Sequence, residues 1–127
     1  MVFKGVVGFA IVVGIGSSAA AQGANLNGDA LRQALAGKTV LLHTPVGSIP
    51  ISYQTNGTMS GRARSMQMYV GSEQDSGTWW IKADQVCQKW TKWLEGKSHC
   101  FTLRLDGRVV HWRSTDGRTG TATIASN

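Results

Sequence analysis

Few residues in this chain could carry chemistry, and they are scattered. There are two cysteines, Cys87 and Cys100, and three histidines, His43, His99 and His111. Twelve residues separate the cysteines, so they form no C-x-x-C redox motif, and no His or further Cys cluster completes a zinc site. The histidines fall on three separate predicted strands, with no two at metal-ligand spacing within one element. G-x-S-x-G, H-E-x-x-H and phosphate-cradling glycine loops do not occur. Asp84, Asp106 and Asp116 occupy predicted turns, where an aspartate has a backbone-capping role, so paired-carboxylate chemistry is poorly supported. The expectation is a non-catalytic protein, with no catalytic residue, no metal and no cofactor.

The tryptophans are more informative. Four of the five, Trp79, Trp80, Trp90 and Trp93, lie within fifteen residues, interleaved with Lys82, Lys89 and Lys92. Large aromatics are first of all core material. Trp79 and Trp80 are adjacent, however, and on a strand they point to opposite faces, which puts one of them on a second buried surface or in solvent. An outward tryptophan beside cations suits stacking on a sugar ring or seating at a lipid headgroup. Trp80, Trp90, Lys89, Lys92 and Arg113 are therefore the candidate contact residues, and an anionic glycan or lipid surface is the expected partner.

A targeting signal precedes these residues. Lys4 is followed by an uncharged, apolar run from Gly5 to Gly16, and Ala19 and Ala21 supply small side chains for cleavage after Ala21. Twelve apolar residues fall short of the roughly 20 that span a bilayer. The expected mature protein is periplasmic or secreted, a single β-rich domain over residues 22–127. It keeps twelve Lys and Arg against seven Asp and Glu, a net charge of +5. Positive charge favours anionic partners, and export makes nucleic acid the least suitable of them. The basic residues run from Arg32 to Arg118 without a consecutive block, which equally describes a solvated surface. In an oxidising compartment Cys87 and Cys100 are expected to form a structural disulfide.

Local patterning predicts what must position these groups. Asn27 or Asp29 can cap a short helix through Leu35, with Gly37 at its C-cap and Leu31 and Leu35 on one face. Strands are expected at 39–44, 48–53, 58–64, 78–82, 100–105, 109–113 and 119–124, with Met66, Met68 and Val70 alternating further on. Segment 86–93 fits helix spacing slightly better than strand spacing, but its aromatic content and the flanking hairpins favour strand. Asn56-Gly57, Asp106-Gly107 and Asp116-Gly117 are hairpin signals. Sequential hairpins imply a mainly β fold: an antiparallel meander forming a small barrel or half-barrel, with the helix over an open end or an edge.

The run Gly77-Thr78-Trp79-Trp80, then Cys87-Gln88-Lys89-Trp90, then Cys100, and finally Asp106-Gly107 and Asp116-Gly117, resembles small exported proteins of unknown function from Gram-negative bacteria. The resemblance spans roughly residues 37–124. It implies a periplasmic β-domain with one disulfide and brings no functional residues. Ser60-Gly61-Arg62 is partly similar to an element of periplasmic lysozyme inhibitors, which implies an alternative role as a proteinaceous inhibitor of a cell-wall hydrolase acting through the Tyr53–Arg64 hairpin. A basic domain would meet such basic enzymes against a repulsive field.

Overall fold

The computed structural model describes residues 23–45, 47–64 and 72–125. The expected signal segment and the alternation of Met66, Met68 and Val70 lie outside the described residues. Helix α1 spans Gly28–Leu35. Asn27, rather than Asp29, caps it, its Oδ1 accepting from the Ala30 N–H at 2.9 Å, and Gly37 follows at φ +76°. Leu31 and Leu35 are buried on one helix face. Eight residues form no stable helix alone. This one is held because Asp84 Oδ1 accepts from the Gly28 N–H at 2.9 Å and the Arg32 guanidinium lies 5.8 Å from the Trp79 ring centroid.

Among the described residues eight strands follow: β1 Lys38–Thr44, β2 Gly47–Tyr53, β3 Thr58–Arg62, β4 Gln74–Lys82, β5 Gln85–Trp90, β6 Ser98–Asp106, β7 Val109–Ser114 and β8 Thr119–Ile124. Each pairs antiparallel with its sequence neighbour, and β8 returns to β1 through Val40↔Ile124, Leu41↔Thr123 and Leu42↔Ala122. The expected barrel is therefore fully closed, which leaves no unpaired edge. Helix α1 covers one end, beside the β4–β5 turn.

Segment 86–93 is strand only as far as Trp90. Asp75 Oδ2 then accepts from both the Lys92 and the Trp93 N–H at 2.8 Å, and the chain leaves the sheet. Trp93–Gly96 forms a short 3-10 turn in which Leu94 and Glu95 adopt left-handed backbone angles. Alternation turns Val40, Ile51, Tyr53, Met59, Trp79, Val86, Gln88, Trp90, Leu103, Val110 and Ala122 into the barrel. At Gly61 the absence of a side chain admits the Trp90 and Trp93 rings, whose centroids are 4.7 Å apart. Cys87 and Cys100 face each other across β5 and β6 and are bonded, on the opposite side of the strands from Val86 and Gln88.

Candidate functional site

Inside the barrel is a cavity of about 190 Å³. Val40, Leu42, Ile51, Val86, Leu103 and Val110 supply much of its apolar wall. Leu35 of α1 closes it at the helix end, while Leu94 and Arg118 stand at the other, after β5 and before β8. Three polar groups interrupt the wall. The Tyr53 hydroxyl donates to Gln88 Oε1 at 3.2 Å, both side chains being buried. Burial pushes the Tyr53 phenol well above its ordinary range, because a phenolate there would lose its hydration. It remains a neutral donor.

The third polar group is the Trp112 indole. Its ring meets Phe101 edge-on at 5.6 Å and lies over Gly120, where a β-carbon would fall 2.3 Å from Cζ2. Trp112 Nε1–H is buried and finds no acceptor among the described residues. A buried donor without an acceptor costs about 1 to 3 kcal/mol. At the mouth, Arg118 Nε lies 3.2 Å from Asp116 Oδ2, with both side chains more than half exposed. The Ser114 hydroxyl holds the Asp116 carboxyl below its usual range against an opposing effect of desolvation, with lesser help from Arg118. An exposed pair of this kind leaves the guanidinium accessible to a competing anion.

Apolar walls with a few convergent polar groups suit a small ligand that is largely hydrocarbon and carries one acceptor or acid. Among the described lining residues there is no serine, cysteine, histidine or carboxylate. No group of three or more His, Cys, Asp or Glu that could hold a metal occurs among the described residues. No described helix is long and apolar enough to cross a membrane.

The residues expected to make contacts are only partly brought together. Trp80, 37% exposed, faces outward on β4, directly across from Cys87 and beside Lys89, whose partner is Thr78. Trp90 is inside the barrel and 3% exposed, so it takes no part in that outer surface. Lys92 lies just past the end of β5, and Arg113 is on the outer face of β7, three of eight strands away from Trp80, which turns it roughly 135° around the barrel axis. As cavity residues Leu42, Tyr53, Gln88, Trp112 and Arg118 escaped the sequence reading, which named Tyr53 only as the start of a candidate inhibitory hairpin. Alternation marks the first four as one-sided, but nothing local says that they line one space. Searches against protein-family models, curated proteins and solved structures find no match to this chain.

Proposed function

We propose that this is an exported, non-catalytic binding domain for a small amphipathic anion, its hydrocarbon part inside the barrel and its acidic group at Arg118. The observation that carries this reading is an apolar cavity with an unsatisfied indole N–H in its wall. The interior of an eight-stranded barrel is about wide enough for side chains to fill. Leaving some 190 Å³ open sacrifices on the order of 5 kcal/mol relative to a filled core, an upper figure for a cavity with a mouth. That is a large sacrifice for a domain of this size, and a ligand would recover it. An apolar cavity of about 150 Å³ accepts a benzene ring, so the expected occupant is one ring or a short acyl chain. Of the two partner classes suggested by the basic composition, the apolar wall favours the lipid-like one.

Calorimetric titration of the mature chain with n-alkyl carboxylates of increasing length tests the proposal. Affinity should rise about fourfold per methylene, following roughly 0.8 kcal/mol for each one buried. It should level off near six carbons, since each occupies about the 30 Å³ of a water. Absence of binding, or binding indifferent to chain length, would remove the reading. N-terminal sequencing of the exported protein tests its first part, with Gln22 as the expected first residue.

A further inference from the structure

A second surface is built mainly from the outward side chains of the same strands and meets the cavity only at Trp112. On β6, β7 and β8 the register pairs Arg104 with His111 and Thr102 with Arg113, then His111 with Thr121 and Arg113 with Thr119. These residues alternate with the inward Leu103 and Trp112, so they face away from the barrel interior. With Asn25, Gly120 and Trp112, which also belongs to the cavity wall, they line a groove of about 450 Å³.

Two features distinguish this groove from an ordinary solvated strand face. Its cations have no carboxylate: among the described residues the ion pairs are Lys97–Glu95 and Arg118–Asp116, and neither Arg104 nor Arg113 joins one. Asp106, two residues beyond Arg104 on the same strand, forms no ion pair with it. The rest of the polar lining is the His111 imidazole together with hydroxyl and amide groups from Thr102, Thr119, Thr121 and Asn25. Among the described residues the exposed large apolar ones, Trp80, Leu94 and Val109, do not line it, and its one large apolar side chain, Trp112, is half-buried, which argues against a lipid surface as occupant.

We infer that this groove binds an acidic oligosaccharide, with a carboxylate or sulfate held between Arg104 and Arg113 and sugar hydroxyls against the threonines. Arg104 and Arg113 stand diagonally across adjacent strands, an arrangement in which backbones lie roughly 7 to 8 Å apart, so both side chains can converge on one anionic group. The planar guanidinium suits two-point contact with either oxyanion. This inference does not depend on the cavity ligand.

The test is titration of the mature protein with an oligogalacturonate, a sulfated oligosaccharide, a neutral oligosaccharide of equal length and phosphatidylglycerol vesicles. The expected result is binding of an acidic oligosaccharide but not the neutral one, weakened roughly tenfold or more in R104Q/R113Q. K82Q/K97Q removes the same charge from exposed positions that do not line the groove and should leave the affinity within about twofold. Preference between the carboxylated and sulfated sugars identifies the anionic group. Equal losses in the two double variants, equal binding of the neutral sugar, or binding to vesicles alone would overturn the inference. Hexanoate titration of R104Q/R113Q reads the cavity separately, so failure of one site is distinguishable from failure of the other.

Discussion

Replacing Ala122 by leucine should make the domain more stable and, in the same step, unable to hold its ligand. Ala122 points inward from β8, opposite Leu42 on one side and Val110 on the other, and is part of the cavity wall. Leucine adds three carbons. At about 30 Å³ each they would occupy roughly half of the 190 Å³ available, so the substitution fills space without crowding the wall. Complete burial of three methylene-sized groups is worth about 2.4 kcal/mol. Because the cavity opens beside Arg118 and some of that surface stays wet, about 1 to 2 kcal/mol is expected. In a domain of roughly 100 residues each kcal/mol raises Tm by about 4 to 8 °C, giving a rise on the order of 5 to 15 °C. Thermal unfolding followed by circular dichroism measures the first effect, and hexanoate titration the second, with affinity falling at least about tenfold. A lower Tm would mean that the space is not free to fill. A higher Tm with unchanged binding would mean that the ligand sits elsewhere.

Other substitutions probe the packing around the site. The raised pKa of buried Tyr53 implies that stability is full below about pH 10, where free tyrosine is still protonated. It should then fall by about 1.4 kcal/mol per pH unit as the unfolded chain ionises and the folded phenol does not. Tyr53→Phe should abolish this decline, so urea midpoints of the two proteins should converge between pH 9 and 11.5; parallel profiles would contradict the assignment. At Gly61 an added β-carbon would lie 2.6 Å from Trp93 Cζ3 and 3.0 Å from Trp90 Cη2. Trp93 is anchored through Nε1 to the Ser72 carbonyl and through its backbone N–H to Asp75, so Gly61→Ala should destabilise by about 1 to 3 kcal/mol in urea unfolding. An unchanged midpoint would show that the rings yield freely. Substituting both cysteines by serine opens a link between residues thirteen apart and should remove about 3 kcal/mol. A loss below about 1 kcal/mol would show that strand pairing alone holds β5 to β6.

Much of the architecture was readable because its causes are local. Alternation and Asx-Gly turns locate most strands to within a few residues, and the Asn27 cap with Leu31 and Leu35 defines the helix. Segment 86–93 resisted because its end is set from outside. Asp75 captures the Lys92 and Trp93 amides, and no pattern within 86–93 contains that residue. The same division applies to the surfaces. Opposite orientations for Trp79 and Trp80 follow from their adjacency, and the structure buries Trp79 and exposes Trp80. That Arg113 faces a different direction from Trp80 depends on curvature, which a list of strands does not contain.

The sequence by itself determined the helix, most of the strands in their order and the side of each that carries apolar residues, since these follow from periods of two and 3.6 and from backbone preferences at turns. Only the tertiary structure decided whether the meander closes, because contacts such as Val40 with Ile124 join residues with no local relation. Closure in turn created the cavity. Its volume is the difference between the barrel's circumference, set by eight strands, and the side chains turned inward, small at Ala122 and large at Trp112. Tyr53 and Gln88, thirty-five residues apart, become one hydrogen-bonded pair only when that space is enclosed.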